Sequence, residues 1–201
     1  MPDNNQKSNF FALLGRMRLI SRWSLMRGTD TENISEHSLQ TAMIAHALAV
    51  IHNRRLCDHP ADQIDPQKTA LTAMFHDAGE ILTGDLPTPV KYYDPHIREA
   101  YRRIESNAND HLLSMLPDDL QEEYRAIFYD DDSRRLKLVR AADKLSALTK
   151  CVEEQKAGNR EFDSACTTLK KTLDELCCPE AEIFIDLFLD GFSLTLDEQQ
   201  K

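Results

Sequence analysis

The sequence predicts an all-α, single-domain protein. Apolar residues recur at intervals of three and four through most of the chain, the spacing that builds one buried face of a helix. Neither an internal repeat nor a low-complexity tract nor a strand-rich region interrupts that pattern. A length of 201 residues at 41% hydrophobic content suits one domain with a real core.

Taken in order, polar residues 1–7 are expected to be disordered. Phe10, Phe11, Leu13, Leu14 and Met17 then place a first helix over about Ser8 to Ile20. Ser21 to Ile34 reads as a loop that carries Arg22 and the only tryptophan, Trp23. Ser35 is expected to cap a second helix, with Glu36 at its positive end, His37 in its first turn, and Leu39, Met43, Ile44, Ala47, Leu48 and Ile51 along its apolar side. After a polar connection from Cys57 to Asp65, the pair Asp65-Pro66 opens a third helix bearing Leu71, Met74 and Phe75 and running into His76-Asp77. Asp85 to Pro89 is expected not to be regular helix, because each proline pushes its predecessor toward extended geometry.

Pro95 opens a long charged helix with Ile97, Tyr101, Ile104, Leu112, Leu113 and Met115 as its apolar positions, and a shorter helix runs from Pro117 to Phe128. The next spans about Ser133 to Gly158, with Leu136, Val139, Ala142, Leu145, Leu148 and Val152 as its stripe. Two more cover about Glu161 to Leu176 and Glu180 to Leu189. Gly191 is read as a stop, and residues 192–201 as a tail in which Leu194 and Leu196 alternate in an extended run.

The acidic balance, a formal charge of −10, argues against a nucleic acid polymer or an anionic membrane as partner, since both want a basic face. No apolar run is long enough to span a bilayer, and the polar start lacks the apolar core of a secretory leader. Five cysteines, an odd number without paired spacing, point to the reducing cytoplasm.

The chemistry concentrates in Ala73-Met74-Phe75-His76-Asp77-Ala78-Gly79-Glu80-Ile81-Leu82-Thr83-Gly84-Asp85. An imidazole beside a carboxylate can share a divalent cation, and Glu80, one helical turn on, falls on the same side. Asp143 sits within the apolar stripe of the long helix, where a carboxylate needs a cation. Arg140 or Lys144 could supply an ion pair; a metal shared with His37, His76 and Asp77 is the alternative.

A lone histidine, then His-Asp, then a distant aspartate resembles the HD-domain superfamily of metal-dependent phosphohydrolases. The flanking segments Leu19-Ile20-Ser21-Arg22-Trp23, Thr31-Glu32-Asn33-Ile34-Ser35-Glu36-His37-Ser38-Leu39-Gln40 and Leu82-Thr83-Gly84-Asp85-Leu86-Pro87-Thr88-Pro89-Val90-Lys91 look like the bacterial dimeric 5′-deoxynucleotidases. That resemblance is sharp from Phe10 to Tyr93 and around Asp143, and loose between Asp94 and Leu136. It implies one HD-type helical bundle over residues 1–201, with His37, His76, Asp77 and Asp143 as metal ligands and a homodimer as the assembly.

By the same resemblance, Glu80 and Asp85 handle protons and water as the catalytic pair, while Arg22, Trp23, Asp85 and Lys91 contact the substrate. Mixed imidazole and carboxylate ligands suit manganese, cobalt, iron or zinc alike over calcium; one divalent metal is expected, cobalt or manganese, with zinc or iron as alternatives. The activity expected is hydrolysis of deoxyribonucleoside 5′-monophosphates to deoxyribonucleosides and phosphate by a metal-activated water. Its rivals are an HD-type enzyme acting on deoxynucleoside triphosphates or a signalling nucleotide, and a nucleotide-sensing module without turnover.

Overall fold

The computed structural model describes residues 7–91 and 93–201, so the expected disorder of residues 1–6 lies outside the described residues. In chain order the helices are α1 (Phe10–Leu14), α2 (Ile34–Ile51), α3 (Pro66–Phe75), α4 (Glu80–Thr83), α5 (Thr88–Lys91), α6 (Pro95–Ser114), α7 (Asp118–Phe128), α8 (Ser133–Lys156), α9 (Asp163–Leu176), α10 (Pro179–Phe188) and α11 (Leu196–Gln199). The only extended pairing among the described residues is an isolated antiparallel bridge between Ser21 and Asn33. The chain forms two compact units. The first takes the described residues of Met1–Leu25, with Thr31–Ser38 and Phe75–Asp130; the second takes Met26–Asp30, Leu39–Met74 and Asp131–Lys201.

In the first unit the expected opening helix is shorter and tighter. Regular helix ends at Leu14, and Gly15–Leu19 continues as a 3₁₀ turn; Met17 is buried while Phe11, in α1, is exposed. Phe10 is the anchor. It is wholly buried with Ala78, Leu112, Leu113 and Leu116, and stands edge-on to Tyr124 at 5.3 Å. Burying a ring of that size contributes about 2 kcal/mol. Asp94 caps α6 by accepting the His96 amide at 2.7 Å, with Pro95 at the first helical position.

Two boundaries near the motif differ from expectation. Ser35 does not cap α2. The helix starts at Ile34, and the cap is Asn33, whose Oδ1 accepts the Glu36 amide at 3.1 Å while Glu36 Oε2 accepts the Asn33 amide at 3.2 Å. A reciprocal pair satisfies two orphan amides where a serine would satisfy one. Of the stretch from Asp85 to Pro89 expected not to be helix, residues 85–87 are irregular, but Thr88–Lys91 is a short helix. Pro89 falls in its first turn, where a missing amide hydrogen removes no helical bond.

The second unit is built on α8, with α9 and α10 packed along it. Asp132 caps α8 through the amides of Arg134 and Arg135. From Leu145 to Cys151 every residue is buried, so the helix is enclosed over that length rather than showing the single stripe that periodicity suggested. Gln40 of α2 accepts the Ser146 hydroxyl at 2.7 Å. The apolar positions Leu39 and Met43 of α2, with Leu71 and Met74 of α3, are not core but 38–58% exposed. Gly191 is no stop: Leu189–Ser193 forms a 3₁₀ turn, and of the expected extended run only Leu194 and Thr195 are extended, since α11 starts at Leu196, held by a capping box between Thr195 and Glu198.

Glu154 is the strongest polar anchor of this unit. At 1% exposure its carboxylate accepts the Thr29 amide at 2.8 Å, the Thr29 hydroxyl at 2.9 Å and Asn159 Nδ2 at 2.9 Å, and pairs with Lys150 at 2.6 Å. Burial pushes its pKa up, but Lys150 and these donors outweigh burial and hold it down at about 2, below the ordinary 4.5. A folded-state value below the unfolded one stabilises the protein above the unfolded value, and the gain is lost as pH falls through the folded one. A shift of that size corresponds to about 3 kcal/mol. Glu154→Gln should therefore lower stability at pH 7 by about 2–3 kcal/mol and flatten the acid loss between pH 4.5 and about 2. Urea unfolding across that range tests it; parallel pH profiles for the two proteins would remove Glu154 as the source.

Candidate active site

Helix α3 stops at Phe75, so His76 and Asp77 stand in a turn rather than on the last helical turn expected for them. The turn is closed by the Ala78 amide on the Phe75 carbonyl and the Glu80 amide on the Asp77 carbonyl, both at 3.0 Å. This frees adjacent side chains from the roughly 100° separation a helix imposes. Nε2 of His76 lies 3.1 Å from Asp77 Oδ2, and Nε2 of His37, buried in the first turn of α2, lies 3.6 Å from the same oxygen. The two imidazole rings are 5.4 Å apart, with a nitrogen of each within 4.8 Å of the other.

Two imidazole nitrogens and a carboxylate oxygen turned toward one another fit a divalent transition metal, whose sites use this mixed donor set. Asp143 belongs to the second unit. It is half-buried on α8, and its Oδ2 accepts Lys144 Nζ at 2.9 Å, while Arg140 bonds its own helix at the Leu136 carbonyl.

Around Asp77 the first unit gathers charge. Nη1 of Arg22 is 3.7 Å from Asp77 Oδ2, and its Nε donates to Glu32 Oε2 at 2.9 Å. That oxygen also accepts the indole Nε1 of Trp23 at 2.8 Å. Glu80 opens α4 and is buried, with its Oε2 lacking any hydrogen-bond partner among the described residues. Burial first, then repulsion from Asp77 and Asp85, pushes its pKa up to about 9 against the pull of Lys91 and Arg22. Asp85 is shifted upward too, by burial above all, with Arg22 opposing.

The approach to Asp85 is set by α6. Gly84 adopts φ +73°, a conformation that favours glycine, and its carbonyl accepts the Tyr101 hydroxyl at 3.1 Å. Lys91 donates to Glu105 at 2.9 Å and lies 4.7 Å over the Tyr101 ring. Burial works against its charge, yet the Glu105 contact prevails and its pKa is raised. Sequence reasoning missed Glu32, Tyr101 and Glu105. Glu32 stood inside a quoted segment, but nothing in the spacing shows that its carboxylate reaches back ten residues to Arg22 and nine to Trp23.

Solved structures of related shape place this architecture. An HD-domain phosphohydrolase from Listeria innocua superposes with a TM-score of 0.78 at 21% identity, covering 96% of this chain and 92% of its own. The cyanophage S-2L HD phosphohydrolase, bound to dA and one catalytic Zn²⁺, gives 0.63 at 18% identity over 89% of this chain and 95% of its own. The fold is that of the HD-domain phosphohydrolases.

Sequence similarity narrows the class. The family described as 5′-deoxynucleotidase YfbR-like matches residues 9–192. A 5′-deoxynucleotidase of Photobacterium profundum is 50% identical over 198 residues, which are 96% of this chain and 98% of the relative. The chain belongs to the YfbR-like 5′-deoxynucleotidase family.

Proposed function

We propose that the protein hydrolyses deoxyribonucleoside 5′-monophosphates to deoxyribonucleosides and phosphate. The observation that carries this is identity of 50% over 96% of the chain to a 5′-deoxynucleotidase. The grouping of His37, His76, Asp77, Arg22, Glu80 and Asp85 in one compact unit supports it. We assign one divalent metal to His37, His76, Asp77 and Asp143, with cobalt or manganese expected and zinc or iron as alternatives. When bound, such an ion polarises a phosphoryl oxygen and acidifies a bound water.

The chain's own side chains do the rest. Arg22 meets the phosphate with its planar fork, and Lys91, held by Glu105, adds positive charge nearby. Glu80 and Asp85 take and give the protons of the attacking water and the departing 5′-oxygen. Trp23 faces the sugar and disfavours a 2′-hydroxyl. The family match across residues 9–192 takes in parts of both units and supports reading the chain as one HD domain.

A homodimer is supported by a depression of about 430 Å³ in the second unit, lined by Leu39, Ala42, Met43, His46, Ala70 and Met74, in which Leu39, Met43 and Met74 are exposed. The five cysteines are free, which accords with the cytoplasm. Among the described residues no helix is long and apolar enough to cross a membrane, and the net charge of −10 speaks against a nucleic acid polymer as partner.

A phosphate-release screen of ribo- and deoxyribonucleoside monophosphates across divalent metals tests the reading. Orthophosphate should appear from the deoxy substrates, and deoxynucleoside triphosphates should yield neither pyrophosphate nor triphosphate. Release of triphosphate, or binding without turnover, would install one of the rivals. In the same assay Trp23→Ala should lower the deoxy-to-ribo ratio of kcat/KM by up to about 10²-fold, the range open to an apolar wall that rejects a hydroxyl. Arg22→Ala should weaken both substrate classes alike.

A further inference from the structure

Trp23 has a backbone φ of +57°, a conformation that a bulky L-residue adopts only when its surroundings compel it. Glu32 supplies part of that constraint. Its backbone carbonyl accepts the Arg22 amide at 2.9 Å, and the Ile34 amide donates to the Ile20 carbonyl at 3.0 Å, which together clamp the mouth of the loop. Its side chain, 10% exposed, places one oxygen between two donors: Trp23 Nε1 at 2.8 Å and Arg22 Nε at 2.9 Å. Charge-assisted bonds of this kind are the shorter and stronger ones. One carboxylate oxygen thus fixes the indole relative to the guanidinium. Glu32 thus ties these two neighbouring side chains to each other, while Arg22 also reaches Asp77 at 3.7 Å.

We infer that Glu32 is a positioning residue for sugar selection: by holding Trp23 at a set distance from Arg22, it converts phosphate binding into rejection of a 2′-hydroxyl. This rests on the reading of Arg22 and Trp23 as phosphate and sugar contacts. An apolar ring discriminates against a hydroxyl only if it cannot swing aside, and misplacement by about 1 Å can undo much of an oriented arrangement. Glu32 therefore acts through Trp23 and Arg22 and need not touch the substrate.

The chain has one tryptophan, so its indole fluorescence reports Trp23 alone and gives a readout independent of turnover. In Glu32→Ala the emission should shift and acrylamide quenching should rise. Its deoxy-to-ribo ratio of kcat/KM should fall by about 10-fold or more, with metal content unchanged. Glu32→Gln keeps one accepting oxygen without the charge and should fall between the two. Adding Glu32→Ala to Trp23→Ala should leave the ratio where Trp23→Ala alone puts it, because the two act as one unit. A Glu32→Ala ratio within about twofold of the parent would overturn the inference, as would unchanged quenching. A parent enzyme that does not distinguish the two sugars sinks the proposed sugar contact instead. Quenching in the Glu32 variants then still decides whether this carboxylate holds the indole.

Discussion

Replacing His76 or Asp77 with alanine is expected to abolish bound metal and turnover together while the helical spectrum survives. Both residues lie in the turn after α3, outside any regular helix, and both side chains are four-fifths buried or more without joining the aromatic core around Phe10. The fold therefore has little to lose at these positions. The reaction has much to lose, since a metal supplies several kcal/mol of charge stabilisation, or about 10³-fold and more in rate. Metal analysis and phosphate release on the same preparations check this. Asp143→Ala belongs in the series: full metal occupancy in that variant would strike Asp143 from the ligand set and leave it as the partner of Lys144.

Glu80→Gln should retain metal and substrate affinity and lose about 10²–10⁴-fold in kcat, the usual share of positioned acid–base help. Glu80 is suited to such a role because it is buried beside Asp77 and Asp85 and its Oε2 makes no hydrogen bond among the described residues. A buried carboxyl oxygen without a partner is costly in a purely structural role. Glutamine preserves shape and removes the proton exchange, so KM should move little while kcat falls. Near-normal turnover would pass the role to Asp85; loss of metal along with rate would make Glu80 part of the metal's own shell.

Much of this was legible in the sequence because the decisive marks are local. The helix start at Pro66 follows from the capping acid just before it, the starts at Pro95 and Ser133 fall where they are expected, and α6 to α10 lie close to their expected spans. The misreadings share a cause. Periodicity finds an apolar face without saying what covers it, so Leu39, Met43, Leu71 and Met74 looked like core and are exposed. It also carries a helix through any residues that tolerate one, which hid both the turn at His76 and the 3₁₀ geometry after Leu14. The metal and acid–base candidates were recognisable as residue types in family-like company. Their supports, Glu32, Tyr101 and Glu105, were not, because each reaches its partner through tertiary structure alone.

The loop tip at Gly28-Thr29-Asp30 has a different kind of consequence. Its anchors engage main chain almost throughout: Glu154 holds the Thr29 amide, Lys150 the Asp30 carbonyl and Asn159 the Arg27 carbonyl. Every residue but proline offers the same amide and every residue the same carbonyl, so the side chain at 27 can change under mutation without touching these anchors. Two positions within it are strict: at Gly28 a Cβ would meet the Asp30 carbonyl oxygen at 2.8 Å, and the Thr29 hydroxyl makes its own bond to Glu154 at 2.9 Å. A saturation scan should thus find position 27 permissive and positions far away in sequence strict. The instructions for its shape are stored at 150, 154 and 159.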